Sequence, residues 1–261
     1  MKIKANGIEI NYEIAGSGPW VTLSHSIASD LHMWDEQMDA LTKKYKVLRF
    51  DTRGHGASSA PDGAYTLDQL ADDVHGLLTA LGIKQTHWVG LSMGGMIGQA
   101  AALKYPGVFK SMVLADTTCH YPDNAQQAWV DRIKLAQTQG MTPFVGSMLE
   151  RWFTEPYRKA NPPALARIGD TIRTTPAAGF IGCCHALPKI NVTARLKEIR
   201  CPMLVIVGEL DPGTPVAMAR QIHEAAPGSE LVIIPSAAHL TNVEQAQAFN
   251  AAVLDFLDRV K

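Results

Sequence analysis

The sequence predicts an α/β fold: a mostly parallel central sheet flanked by helices, with a block of helices inserted. Three observations predict it. Short apolar, strand-type runs alternate with helical runs from Trp20 to Ala115. From about His120 to Arg195 only helix-type periodicity is found, and the alternation resumes at Met203. Within the first block, Gly90-Leu91-Ser92-Met93-Gly94 joins a strand-type run to a helical one. Strand–helix alternation at short intervals implies right-handed βαβ units and a parallel sheet covered on both faces. The expected organisation is therefore a core made of residues 1–119 and 196–261, with 120–195 as a helical cap over the strand ends.

Composition is consistent with this. At 261 residues, 46% apolar and 19% charged, the chain can bury a sizeable core. A net charge of −1 without a basic block argues against nucleic acid as a partner. No apolar run reaches the roughly 18 residues of a membrane span, and Met1-Lys2-Ile3-Lys4-Ala5-Asn6-Gly7 lacks a signal-type segment. A cytoplasmic protein is expected, with no membrane partner; the sequence leaves a homo-oligomer open. Cys119, Cys183, Cys184 and Cys201 lack metal-ligand spacing, so no metal is expected, and a thiol nucleophile at Cys183-Cys184 is disfavoured. In a reducing compartment they read as small buried apolar residues.

In chain order, Gly7 to Ile14 alternates apolar and polar residues and reads as a half-exposed strand ending at the Gly16-Ser17-Gly18-Pro19 turn. Trp20 to Ser24 reads as a buried strand. Met33 to Thr42 has helical spacing, with Trp34, Met38 and Leu41 on one face. Lys46 to Phe50 is strand-like and leads into a turn-rich loop, Asp51 to Ser58. That loop lacks the lysine and spacing of a phosphate loop, so it is expected to be a structural turn with Asp51 and Arg53 braced together. Leu67 to Leu81 is periodic and helical, with Gly82 after its end. Thr86 to Val89 precedes the Ser92 turn, and the run from Gly95 to Tyr105 reads as a buried helix. Ser111 to Ala115 is another strand. Cap helices are expected at Asn124–Thr138, Pro143–Phe153, Pro163–Thr174 and Ala177–Leu187. Then follow a strand at Met203–Val207, a helix at Val216–Ala226, a strand at Glu230–Ile234 and a helix at Val243–Val260.

The chemistry centres on Ser92. A serine on a tight strand-to-helix turn exposes its hydroxyl above the sheet, and neighbours two residues away on each side must be glycine for the backbones to approach. The following helix aims its N–H groups and positive dipole end at the same place. A serine needs a base, best a histidine near neutral pH, and the histidine needs an acid to hold its tautomer. All three should stand at the carboxyl ends of strands. Asp211 follows the strand ending at Val207, and His239 follows the strand ending at Ile234, in the order serine, acid, histidine. Asp211 is favoured as the acid over Asp116, which also follows a strand, and over Glu209. The oxyanion donors are expected to be the N–H groups of Met93 and Ile27. His25 reads as a brace for its loop.

These residues resemble the α/β-hydrolase family. The resemblance rests on Gly90 to Gly95, Asp51 to Ser58, Gly208-Glu209-Leu210-Asp211 and Ala238-His239. Within the family the chain is most similar to the 3-oxoadipate enol-lactonases, through Ser24-His25-Ser26-Ile27, Met33 to Gln37, Leu149 to Thr154, Cys183 to Leu187 and Ala238 to Gln245. Many family members carry His-Gly where this chain has His25-Ser26; lactonase-like members carry serine there. The resemblance implies hydrolysis of a small lactone bearing a carboxylate through an acyl-enzyme, without a cofactor. It implies substrate contacts from Ser26, Arg151 and Trp152. Among the cap arginines Arg132, Arg151, Arg158, Arg167 and Arg173, Arg151 is the expected partner of the carboxylate. A carboxylesterase, an aryl esterase, a cofactor-free haloperoxidase-like perhydrolase or a carbon–carbon bond hydrolase would use the same triad. A non-catalytic ligand-binding member of the fold is the reading from another class.

Overall fold

Eight strands form one sheet in the computed structural model, which describes residues 1–260. They are β1 (Lys2–Ala5), β2 (Ile8–Gly16), β3 (Trp20–Ser24), β4 (Lys46–Phe50), β5 (Thr86–Leu91), β6 (Phe109–Ala115), β7 (Met203–Gly208) and β8 (Glu230–Ile234). Their order across the sheet is β1-β2-β4-β3-β5-β6-β7-β8. The six strands from β4 to β8 in that order are parallel, and β1 and β2 close one edge antiparallel. Central strands read as continuous apolar runs because both faces are covered. Every residue of β5 and β7 is buried.

The helices of the core are α1 (Asp35–Leu41), α2 (Leu67–Ala80) and α3 (Met93–Lys104), while α4 (Gln126–Gln139), α5 (Phe144–Trp152), α6 (Glu155–Ala160), α7 (Pro163–Thr174) and α8 (Ala177–Ala186) lie between β6 and β7. The core ends with α9 (Val216–Ala225), α10 (Thr241–Glu244) and α11 (Ala246–Arg259). Local chemistry explains several boundaries. The Thr66 hydroxyl takes the Gln69 N–H at 3.0 Å and caps α2. Gly82, at φ +69°, follows the other end of α2 in the left-handed conformation. Helix α3 is buried from Met93 through Ala101, as expected of a helix apolar on all sides.

Four details differ from the sequence reading. Strand β1 was not anticipated: it is short and polar, and pairing with β2 rather than its own pattern makes it a strand. Helix α6 was not anticipated either, since it buries no residue and so has no apolar stripe. The helix expected over 243–260 is interrupted at Gln245, whose backbone leaves the helical conformation at φ −124° and ψ 51°. The Glu244 carboxylate just before the break bonds the Ala238 N–H at 2.8 Å and the Thr154 N–H at 3.0 Å. Finally, Asp51 and Arg53 do not brace each other. Arg53 forms a buried two-pronged pair with Asp73, at 2.6 and 2.7 Å. Asp51 accepts the Leu31 and Ala57 N–H groups and the Asn11 amide, each at 2.8 Å. No described helix is long and apolar enough to cross a membrane.

Candidate active site

Five strand ends converge on one point. Ser92 follows β5 at φ +55° and ψ −112°, a conformation that non-glycine residues adopt only when their surroundings impose it. Its N–H is held by the Ala115 carbonyl at 2.8 Å, and its carbonyl accepts the Thr117 hydroxyl at 2.7 Å. The flanking glycines are sterically required. A Cβ on Gly94 would stand 2.1 Å from the Ser24 carbonyl, and one on Gly90 would stand 2.3 Å from the Gly94 carbonyl.

The Ser92 hydroxyl lies 3.0 Å from His239 Nε2, and His239 Nδ1 lies 2.7 Å from an Asp211 carboxylate oxygen. Asp211 is held on every side. Its Oδ1 accepts the N–H groups of Gly213 at 2.7 Å and Thr214 at 3.1 Å, and its Oδ2 accepts the Thr214 hydroxyl at 2.7 Å. Burial would raise the Asp211 pKa, but the His239 charge and these hydrogen bonds outweigh it and hold the carboxyl below its usual range. Burial likewise pulls His239 down, and Asp211, with a smaller contribution from Asp116, more than offsets that, so the imidazole titrates above its ordinary value. The geometry also separates the three candidate acids. Asp116 turns to the Gly208 N–H at 2.9 Å and to the Thr241 hydroxyl, and burial pushes its carboxyl up to about 8. Among the described residues the Glu209 carboxylate reaches only the Ser236 N–H, at 3.3 Å.

Met93 is the first residue of α3, so its N–H has no partner within the helix. Ile27 lines the cavity above Ser92. His25 sits behind Ile27. Its Nδ1 bonds the Ser26 carbonyl at 2.7 Å, while its Nε2 accepts the Thr52 N–H at 2.9 Å. A ring accepting at Nε2 carries its proton on Nδ1, and burial lowers the His25 pKa, which favours this neutral form. The Ser26 carbonyl and the Ile27 N–H share one trans peptide, so pinning the first fixes the opposite direction of the second. His25 thus braces the loop, as its position suggested.

The cavity measures about 250 Å³ and is lined by Ser92, His239 and Ile27 from the core and by residues of α4 and α5. Its size is below the roughly 300–1,000 Å³ of sites for drug-sized ligands, which suits a small substrate. Arg151 and buried Trp152 both line it. Ser26 does not: its side chain is fully buried behind the wall, its hydroxyl without a hydrogen-bond partner among the described residues. Arg132 of α4 also lines the cavity, which only the packing of the helices reveals. The other cap arginines are engaged elsewhere. Arg167 pairs with Asp35 at 3.1 Å, Arg173 with Asp170 at 2.5 Å, and Arg158 donates to the Phe153 carbonyl at 3.3 Å. Burial keeps the Cys183 and Cys184 thiols protonated, that of Cys184 up to about 12. Among the described residues no group of three or more His, Cys, Asp or Glu side chains could hold a metal ion.

Comparison with known proteins gives this geometry its setting. The family model described as the alpha/beta hydrolase fold matches residues 19–246. The chain belongs to the α/β-hydrolase fold family. Among curated proteins it is 38% identical to 3-oxoadipate enol-lactonase 2 of Acinetobacter baylyi, over 96% of this chain and 94% of that one. Among solved structures it is similar to the enol-lactonase from Burkholderia xenovorans, with a TM-score of 0.95 and 37% identity, covering 99% of this chain and 100% of that one. It is also similar to a thermophilic esterase from Thermogutta terrifontis, solved with malate bound, with a TM-score of 0.95 and 28% identity over 100% of this chain and 99% of that one. This α/β-hydrolase is an ester-hydrolysing enzyme.

Proposed function

We propose that the chain hydrolyses a small lactone of the 3-oxoadipate enol-lactone type through an acyl-enzyme on Ser92. The observation that carries the reading is the unbroken array Ser92–His239–Asp211, at 3.0 and 2.7 Å, opening into a small cavity. Likeness to two enol-lactonases along nearly the whole chain supports the substrate class. Residues 1–119 and 196–261 act as the catalytic core, and 120–195 serve as the cap that closes the pocket.

Each step follows from the positions described. Asp211 accepts from His239 Nδ1, which leaves the Nε2 lone pair facing Ser92. Nε2 takes the hydroxyl proton as Ser92 Oγ forms a bond to the lactone carbonyl carbon. The Met93 and Ile27 N–H groups receive the oxyanion, each contributing roughly 3 kcal/mol of transition-state stabilisation. The ring carbon–oxygen bond then breaks, the leaving enolate takes the proton from His239, and it tautomerises to a ketone while still tethered through the acyl group. Water next gives a proton to His239 and its oxygen to the acyl carbon, and the proton returns to Ser92 as the acid departs.

An esterase acting on linear esters is the second reading, favoured by the likeness to the Thermogutta esterase. Comparing kcat/KM for 3-oxoadipate enol-lactone, followed by its ultraviolet absorbance, with that for p-nitrophenyl acetate separates the two. A large preference for the lactone is expected. Turnover of the aryl ester alone would move the substrate to linear esters.

A further inference from the structure

His239 stands in the short loop, Pro235 to Leu240, between β8 and α10. The loop has no regular structure of its own, so ties from outside decide where the imidazole stands. After His239, one set of ties runs to the core. The Thr241 hydroxyl donates to Asp116, and the Asn242 amide donates to the Met33 carbonyl at 2.9 Å. A second set runs to the cap. The Leu240 N–H donates to the Trp152 carbonyl at 3.1 Å. On the other side of His239, the Ala238 N–H donates to Glu244 Oε2 at 2.8 Å. Glu244 Oε1 in turn accepts the Thr154 N–H at 3.0 Å and the Thr154 hydroxyl. Both neighbours of His239 are thus joined to the cap at Trp152 and Thr154. These residues lie at the end of α5, whose Met148, Arg151 and Trp152 line the cavity above Ser92.

We propose that Glu244 is a positioning residue for the hydrolysis: by bridging Ala238 to Thr154 it fixes His239 relative to the cap, so that the wall of the pocket and the base acting in it move as one body. This rests on the reading of His239 as the base, and it holds for any ester substrate. Proton transfer needs His239 Nε2 within hydrogen-bond reach of the Ser92 hydroxyl, where it lies at 3.0 Å. The ties to the core lie after His239, and the peptide before it is held through Glu244. With that hold released, the ring can tilt about its anchors at Leu240 and Thr241. The residue type follows from the partners. Ala238 and Thr154 both present N–H groups, so the bridge must accept at its two ends. A carboxylate accepts on both oxygens through charge-assisted bonds, whereas an amide accepts at one end and donates at the other.

The test measures kcat and KM for p-nitrophenyl acetate in the full-length protein, with kcat taken per active site counted by phosphylation of Ser92 with diethyl p-nitrophenyl phosphate. Counting sites removes any loss caused by a smaller folded fraction. Glu244→Leu keeps the bulk and removes both acceptors; it is expected to lower kcat by about 10- to 100-fold, the order that misplacing a catalytic group costs, with KM within about threefold. Glu244→Gln keeps the Ala238 bond and can still donate to the Thr154 hydroxyl, so it is expected to recover kcat to within about tenfold of the parent. Thr154→Val removes one cap-side bond from a half-buried residue and is expected to cost about three- to tenfold in kcat. If Glu244→Leu does not fold, the Gln and Val variants give the decision. The low-field proton resonance of the His239 Nδ1–H bond to Asp211 should shift in Glu244→Leu and return towards the parent's in Glu244→Gln. A kcat within twofold of the parent in Thr154→Val and in either Glu244 variant would overturn the proposal. So would a rise in KM with kcat unchanged, which would make Glu244 a pocket-shaping residue alone. His239→Ala serves as the control. Retained turnover in that variant would sink the triad reading and the proposal with it, whereas a dead His239→Ala beside fully active Glu244 and Thr154 variants would sink only the bridge.

Discussion

Replacing Asp211 by Asn changes one atom of the carboxyl group, and the structure says which way the new amide must face. Two backbone N–H groups, of Gly213 and Thr214, point at Oδ1. An amide oxygen satisfies them and an amide nitrogen cannot. The NH2 group is therefore forced into the Oδ2 position, 2.7 Å from His239 Nδ1. There it can only donate, so Nδ1 must accept and the proton moves to Nε2. Nε2 then faces Ser92 with a proton instead of a lone pair. Loss of the correct tautomer in a serine triad costs about 10⁴ in kcat, or about 5 kcal/mol of barrier. Asp211→Asn should therefore lower kcat/KM by 10³ to 10⁴ on any ester substrate, with the melting temperature checked to show an intact fold. A second signature accompanies the rate. With the Asp211 charge gone, burial and Arg151 pull the His239 pKa down. The residual activity should persist to lower pH than in the parent enzyme. A loss smaller than tenfold would refute the tautomer argument and reopen the choice of acid.

Further outcomes follow from the same geometry. In the parent enzyme kcat/KM should fall as pH drops through a pKa above 6.5, because His239 must be neutral to accept the Ser92 proton and its pKa is raised; an acid limb well below 6 would contradict this. Asp116→Asn should cost less than tenfold in kcat/KM, since a carboxyl pushed up to about 8 is already mostly protonated at neutral pH and an amide can keep both the Gly208 and Thr241 contacts; a loss matching that of Asp211→Asn would show that Asp116 takes part directly. Asp73→Ala should destabilise the fold by about 3–5 kcal/mol in urea unfolding, because it strands the buried Arg53 guanidinium; a change under 1 kcal/mol would mean that Arg53 finds another partner. His55 and His87 are pulled down by burial, to about 3 and about 4. Both stay neutral in the fold while the unfolded chain takes up protons below about pH 6.5, so stability present above that pH is lost on acidification. The melting temperature should decline steadily from pH 6.5 to 4.5, and a flat profile would contradict the assignment.

Much of this was legible in the sequence because it is encoded locally. The Gly90-Leu91-Ser92-Met93-Gly94 turn requires its own backbone conformation, and the steric limits at Gly90 and Gly94 are the reason those residues are glycine. The parallel strands declare themselves as apolar runs, and strand ends then mark where Asp211 and His239 must stand. What was not legible depends on partners distant in sequence. Asp51 and Arg53 are neighbours, but Arg53 turns to Asp73 on α2 and Asp51 turns to the chain at Asn11, Leu31 and Ala57. Arg132 and Arg167 are both arginines of cap helices. Packing sends Arg167 to Asp35 and leaves Arg132 over the cavity. Strand β1 forms because β2 offers it an edge, and α6 has no buried face from which to be recognised.

The central claim is that Ser92 is the nucleophile of a lactone-opening reaction. The most direct measurement follows the ultraviolet absorbance of 3-oxoadipate enol-lactone with the parent enzyme and with Ser92→Ala at equal concentration. Rapid loss of absorbance with the parent and loss no faster than the spontaneous rate with Ser92→Ala is the predicted result. Lactone opening by Ser92→Ala at a rate near the parent's would contradict it, because the hydroxyl 3.0 Å from His239 Nε2 would then not be the attacking atom.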